Sequence, residues 1–287
     1  MSGTDAADYA AMPPVAVVVC TRKRPERLAN LMRALDAQTH RDFELRVVDD
    51  SGDPPMGPSV ARDEGWRATT APLVAFTDDD CEPAPDWLEQ LLVAHEQAPH
   101  AVLQGATEPL ARERHLLEHP RARTQVVRQL GPYYQCCNIA YPRAVLERVD
   151  GFAADWPWGG EDADLAWRAK EAGVPFTWVP EARVEHAVTV PDAIEYLRGA
   201  AKFEPAMRLL RDHPQIRPLV LEHGLLWKRS HAKAVLAVAG LLAARRRPAA
   251  ALLALPLLAG GPVDAAYTLL ETASTIRGGL RYRTPVL

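Results

Sequence analysis

Val15 to Cys20 reads Val-Ala-Val-Val-Val-Cys, an unbroken apolar run without the polar alternation of a strand that faces water on one side. Such a run belongs in a parallel sheet covered on both faces, and parallel strands need crossover helices to join them. The sequence supplies those helices. Pro25 and Glu26 suit a first helical turn, Leu28, Leu31, Met32 and Leu35 recur at helical spacing, and the pattern breaks at Gln38-Thr39. Phe43 to Val48 reads as a second strand ending at Asp49-Asp50-Ser51-Gly52, followed by a Pro/Gly-rich loop from Asp53 to Pro58. A helix over 59–69, a strand from Leu73 to Phe76 and a helix over 86–98 continue the alternation. Strand, helix, strand, helix, strand is the pattern of a doubly wound α/β sheet.

Further on, Val102 to Ala106 is a strand candidate, and the charged segment Arg112 to Arg128 fits either a helix or a loop. Pro142 to Val149 reads as a short helix, Glu161 to Ala172 as a longer one, and Phe176 to Val179 as a strand with Val184-Glu185-His186 just beyond it. Past Asp192 the chain turns helical and basic. A chain of 287 residues suits one domain of about 200 residues with an appendage, here divided as a tail (1–13), an α/β domain (14–197) and a basic helical C-terminal region (198–287). Met1 to Ala11 is polar and acidic and reads as a disordered tail, not a signal peptide.

The net charge of −4 hides an asymmetry: residues 198–287 hold 14 Lys and Arg against 5 Asp and Glu, a net of +9. That excess calls for an anionic neighbour. The region is rich in Leu and Ala and poor in aromatics for stacking, which points to phospholipid or lipid phosphate and away from nucleic acid. Two apolar stretches, Ala234 to Ala244 and Pro248 to Gly260, flank Arg245-Arg246-Arg247. Each is shorter than the roughly 20 apolar residues a bilayer-spanning helix needs, so the expectation is an interfacial helix pair or a hairpin packed on the rest of the protein. The four cysteines, Cys20, Cys81, Cys136 and Cys137, lack zinc-site or disulfide-framework spacing and read as reduced cytosolic thiols.

The chemistry concentrates at strand ends. Asp78-Asp79-Asp80 follows directly on Leu73 to Thr77, and carboxylates beyond the carboxyl end of a buried strand suit a hard cation, Mg²⁺ or Mn²⁺, that would hold a diphosphate. A solvated loop or a cap for the next helix is the competing account of that triplet. Glu161-Asp162 opens a helix behind Gly159-Gly160, where the helix start favours an ionised carboxylate.

The order and spacing of Val18 to Glu26, Val47 to Ser51, Phe76 to Asp80 with Pro85 and Trp87-Leu88, Cys137 to Ala140, Gly151-Phe152 and Gly159 to Leu165 resemble the inverting family 2 glycosyltransferases over roughly residues 14–190. The resemblance implies a GT-A fold, a Rossmann-like doubly wound mixed sheet, here with a C-terminal helical extension. It implies a nucleoside-diphosphate sugar as donor, a hydroxyl as acceptor, lipid-linked or in the cell envelope, and Mg²⁺ or Mn²⁺ as cofactor. By the same resemblance Asp49 or Asp50 reads the nucleotide base, Asp80 ligates the metal, and Asp78 or Asp79 meets the ribose or metal-bound water. Thr21, Arg22 and Arg62 belong to the nucleotide-sugar site, with Trp158 and Gly160 toward the sugar, and His186 is a second metal ligand. Asp162 is the general base, and Glu161 binds sugar hydroxyls or orients the loop. The family often has Asn where this chain has Asp63. With the basic tail, this places the protein at the cytoplasmic face of the plasma membrane as a peripheral enzyme. A nucleotidyltransferase uses similar carboxylates but wants a glycine-rich phosphate loop after the first strand, and Cys20 to Pro25 contains no glycine. A non-catalytic sugar-nucleotide-binding or membrane scaffold protein is the remaining alternative.

Overall fold

The computed structural model describes residues 12–156 and 159–287. Most of the segment read as an N-terminal tail lies outside these residues, as does Trp158. In chain order the elements are β1 (Val15–Thr21), α1 (Pro25–Asp36), β2 (Phe43–Asp49), α2 (Pro58–Arg67), β3 (Leu73–Asp78), β4 (Cys81–Pro83), α3 (Trp87–Gln97), β5 (Val102–Pro109), β6 (Ile139–Pro142), α4 (Arg143–Arg148), α5 (Glu161–Glu171) and β7 (Phe176–His186). The helical remainder comprises α6 (Ala193–Arg198), α7 (Phe203–Asp212), α8 (Arg217–Val220), α9 (Arg229–Ala243), α10 (Leu255–Leu258) and α11 (Pro262–Arg281). The described residues form two compact units: those within 12–113, 124–154 and 168–187 make the first, and those within 114–123, 155–156, 159–167 and 188–287 the second.

The first unit is built on a seven-stranded sheet of order β2-β1-β3-β6-β5-β7-β4. β1 runs parallel to β2 and β3, β5 runs parallel to β7, and β6 and β4 are antiparallel to their neighbours, so the sheet is mixed. Val15 to Val19 are at most 1% exposed, as a strand covered on both faces requires. Val15, Val17 and Val19 on one face of β1 belong to one core cluster with Leu31 and Leu35 of α1 and Leu88 and Leu91 of α3. Full burial of each such side chain contributes about 1.5–3 kcal/mol. α2 covers the other face, where Gly65 lies so close that a Cβ would stand 2.5 Å from a Val18 methyl.

Three stretches differ from the sequence-based expectation. β4 is three residues long and directly follows the acidic triplet, too short to show any periodicity. β6 lies in the middle of the sheet although it ends in proline; Pro142 is its last residue and needs no ladder hydrogen bond there. β7 extends to His186 instead of stopping at Val179, because an irregularity opposite Gly105 and Ala106 absorbs Pro180 to Ala182 and lets pairing resume at Arg183. The ambiguous stretch after Arg112 resolves into a 3₁₀ segment, Ala111–Glu118, and an extended piece in which Val127 bridges to Thr107.

In the second unit α6 starts with a reciprocal cap, Asp192 accepting from the N–H groups of Ile194 and Glu195 while Glu195 reaches back to the Asp192 N–H. α7 and α11 pack closely, a Cβ on Gly278 standing only 2.4 Å from the Glu204 carbonyl. α9 folds against the 3₁₀ segment Pro248–Ala254 and α10, joined by Ala234, Ala237, Ala254, Leu257 and Ala265. Among the described residues no single helix is long and apolar enough to cross a membrane.

Candidate active site

Parallel register aligns the chemistry of three strands at one sheet edge: Thr21 pairs with Asp49, and Cys20 with Asp78. β4 then turns back against β7 with Cys81 opposite His186, while the Ala187 N–H donates to the Asp80 carbonyl at 2.9 Å. The acidic triplet and His186 are therefore brought together by sheet topology, although they are remote in sequence.

Each member of the triplet has its own partners. Asp79 is buried and accepts from Thr21 Oγ1 at 2.9 Å and Arg24 Nη1 at 3.0 Å. Asp80 accepts from the same Arg24 Nη1 at 2.9 Å through Oδ2 and faces His186 Nε2 at 3.3 Å through Oδ1. Asp78 accepts from Arg62 Nη2 at 2.9 Å. Burial, reinforced by the charges of Asp78 and Asp79, raises the Asp80 carboxyl above its ordinary range despite the opposing pull of His186 and Arg24. A divalent cation at Asp80 would relieve that accumulation of negative charge.

The donor set fits such a cation. Ligand atoms of Asp78, Asp80, Cys81 and His186 all lie within 4.8 Å of one another. His186 Nδ1 lies 2.8 Å from the Ala187 carbonyl; a proton there leaves the Nε2 lone pair directed to the Asp80 side, the tautomer that metal ligation uses. Thr124 Oγ1, 3.3 Å from the same nitrogen, adds to the orientation of the ring. Burial holds the Cys81 thiol well above its ordinary pKa. The pattern-based reading passed over Cys81, because no metal-type cysteine spacing surrounds it.

Asp49 and Asp50 have different surroundings. Both oxygens of Asp50 are taken by backbone N–H groups, from Met56 at 2.6 Å and Gly57 at 3.2 Å, so this buried carboxylate shapes the loop before α2. Asp49 is exposed at the end of β2 and receives the Ser51 N–H at 3.0 Å. Arg22 is exposed, whereas Arg24, which the sequence did not single out, contacts the triplet. Arg22-Lys23-Arg24 offered three equivalent cations, and only the turn at Lys23, with φ +55°, selects among them. Asp63 bonds to the Trp66 indole N–H at 2.8 Å and the Phe152 N–H at 3.0 Å, so its role is to hold the turn at Gly151.

Glu161, Asp162 and Gly160 belong to the second unit. Gly159 and Gly160 take φ +89° and +101°, backbone that L side chains rarely adopt, and release the chain directly into α5. Asp162 stands in the first turn, one carboxylate oxygen 2.8 Å from the Ala163 N–H. Glu161 is buried, which suits orienting the loop better than meeting a ligand in the open. Trp156 is also buried, with the Arg208 guanidinium 4.4 Å over its ring.

Residues 54–150 match the model of glycosyl transferase family 2, and residues 119–192 that of the N-terminal domain of galactosyltransferase. The chain is 30% identical to a pre-mycofactocin glycosyltransferase of Mycobacterium tuberculosis over 247 residues, 74% of this chain and 51% of that protein. It is 26% identical to a validoxylamine A glucosyltransferase of Streptomyces hygroscopicus over 267 residues, 72% of this chain and 63% of that one. This chain belongs to glycosyltransferase family 2. It spans less than two thirds of the length of these relatives. Among solved structures, the mannosyltransferase PcManGT from Pyrobaculum calidifontis, in complex with GDP-Man and Mn²⁺, superposes with a TM-score of 0.63 at 21% identity, covering 96% of this chain and 88% of that one. TarS from S. aureus, in complex with UDP, gives a TM-score of 0.50 at 15% identity over 93% and 91%. The fold is GT-A.

Proposed function

We propose that this protein is a metal-dependent inverting glycosyltransferase that moves a sugar from a nucleoside-diphosphate donor to a hydroxyl. The observation that carries the reading is the facing pair Asp80 and His186, inside a cluster of metal-type donor atoms at the ends of parallel strands, in a family 2 chain. The Mn²⁺ in PcManGT and the nucleotides in PcManGT and TarS support it. Asp80 and His186 would hold Mg²⁺ or Mn²⁺, which supplies charge to the departing diphosphate. Arg62, and Arg24 once drawn off the triplet, offer the remaining positive charge to phosphate oxygens. Asp49, the exposed member of its pair, accepts from the base edge. A sugar hydroxyl is a poor nucleophile, and Asp162 takes its proton as the bond to the anomeric carbon forms. The test is a panel of nucleotide sugars with Mn²⁺, followed by diphosphate release, with Asp80→Ala and Asp162→Asn alongside. Asp162→Asn keeps nucleotide affinity and lowers turnover about 10²–10⁴-fold if it is the base.

The acceptor is proposed to be lipid-linked or part of the cell envelope, reached from the cytoplasmic face by a protein held peripherally on anionic lipid. Leu236, Leu241, Leu242, Leu252, Leu255 and Leu258 are each more than half exposed. Arg245-Arg246-Arg247 lies among them, and no Asp or Glu occurs from Arg229 to Gly261. Apolar side chains beside uncompensated basic ones favour an anionic interface, each basic residue contributing about 1 kcal/mol near the surface.

A further inference from the structure

Two residues from α7 and its end hold the segment that leads into Asp162. His213, directly after α7, is 3% exposed and places Nε2 3.1 Å from Oδ1 of Asp164, itself 4% exposed. Asp164 is two residues beyond Asp162 in α5, so at 3.6 residues per turn their side chains leave the helix on nearly opposite sides. One turn earlier in α7, Arg208 donates to the Asp155 carbonyl at 3.0 Å and to the Asp155 carboxylate at 3.2 Å, while stacking on Trp156. Arg208 is braced by Asp212, which accepts from its Nε at 3.0 Å. Arg208 thus grips Asp155 and Trp156 before the two glycines, the Trp156 indole N–H reaches the Gly159 carbonyl at 3.3 Å, and His213 holds Asp164 after them.

We propose that His213 is a positioning residue for the transfer reaction, setting the direction of the Asp162 carboxylate by anchoring Asp164 on the buried side of the same helical turn. The proposal rests on the reading of Asp162 as general base. The imidazole touches no reacting atom. Its effect passes through the hydrogen bond to Asp164 into the first turn of α5, which follows the glycine pair and the bond from the Trp156 indole N–H to the Gly159 carbonyl. A general base must meet the acceptor hydroxyl within hydrogen-bond reach, and a misplacement of about 1 Å is enough to cost about 10²-fold in rate. This gives the helical region after Val188 a part in the chemistry, separate from any role at a membrane.

The experiment uses the full chain with His213→Ala, His213→Gln and Asp162→Asn, singly and combined. Hydrogen exchange read on the peptide covering residues 160–167 needs no substrate: His213→Ala should speed exchange there while the sheet strands keep their protection. With the donor chosen by the nucleotide-sugar panel, His213→Ala should lower kcat about 10–100-fold, leaving the affinity for UDP or GDP with Mn²⁺ within about twofold. His213→Gln, which retains an N–H near the place of Nε2, should restore most of the rate. In the Asp162→Asn background, adding His213→Ala should cost nothing more, because the residue it positions no longer acts as a base. Unchanged exchange at 160–167, or losses that multiply in the double variant, would overturn the proposal. If Asp162→Asn turns over normally, the base assignment fails and the positioning role fails with it. If Asp162→Asn is inactive and His213→Ala is as fast as the natural protein, only the positioning role is lost.

Discussion

The His186 imidazole and the Asp80 carboxylate face one another at 3.3 Å because β4 reverses against β7 with Cys81 opposite His186. The pair exists only once the sheet is complete, so a metal held there would couple its affinity to the fold of the first unit. Asp80→Ala removes the carboxylate that faces His186 and should abolish Mn²⁺-dependent nucleotide binding, measured by calorimetry with UDP and GDP. His186→Ala should weaken Mn²⁺ by more than about tenfold, since even partners outside the ligand shell are typically worth 10–100-fold. Neither substitution should lower the melting temperature much. Undiminished Mn²⁺ affinity in both variants would remove the metal assignment.

Asp49 and Asp50 are adjacent in sequence and separable by experiment. Asp50→Ala leaves the N–H groups of Met56 and Gly57 without their acceptor, at a cost of about 1–3 kcal/mol, and should appear as lowered thermal stability. Asp49→Ala leaves that loop intact and should weaken nucleotide binding with little change in melting. The reverse pattern would give the base contact to Asp50.

How much of this was legible beforehand depends on the range of the interactions that decide each feature. β1 announced itself because burial on both faces leaves a continuous apolar run, and the triplet because three carboxylates need a reason to adjoin. β4 and β6 did not, because their strand character comes from partners distant in sequence: three residues against β7, and four between β3 and β5. Arg24 was indistinguishable from Arg22 without the backbone turn at Lys23. His213 stood in a helical, basic region with nothing local to mark it, and only the fold brings it to Asp164.

A buried charge cluster in the second unit predicts an acid-sensitive element. Glu271 is 2% exposed and accepts from Lys228 Nζ at 2.5 Å, with His231 Nε2 at 3.3 Å and the Tyr267 hydroxyl at 3.4 Å. Burial pushes its pKa up, but the hydrogen bonds and charges of His231 and Lys228 outweigh that and hold it below the ordinary 4.5. A depressed carboxylate contributes its full stability above the unfolded pKa and loses it as pH falls through the folded value. The Glu271→Gln variant should therefore melt lower than the natural protein near neutral pH, and the gap should close below pH 4.5. A gap that stays constant down to pH 3 would show that the ionised form of Glu271 adds nothing to stability.

The membrane proposal is best tested by substitution in the intact chain. Deleting everything after Leu226 would strip α7 of α11, whose Gly278 lies against Glu204 and Met207, and so would disturb the holder of the Asp162 loop along with any lipid contact. Replacing Leu241, Leu242 and Leu252 by Ser, or Arg245, Arg246 and Arg247 by Glu, changes exposed side chains and spares the small-residue seam of α9. In liposome flotation the natural protein should rise with vesicles containing phosphatidylglycerol and stay down with pure phosphatidylcholine. The charge-reversed variant should lose flotation and the Leu→Ser variant should float weakly, because the apolar and electrostatic contributions reinforce one another. Diphosphate release in detergent-free buffer should be unchanged in both variants. A natural protein that stays at the bottom with anionic vesicles and runs as a dimer lost on Leu→Ser substitution would assign this face to a second copy of the chain.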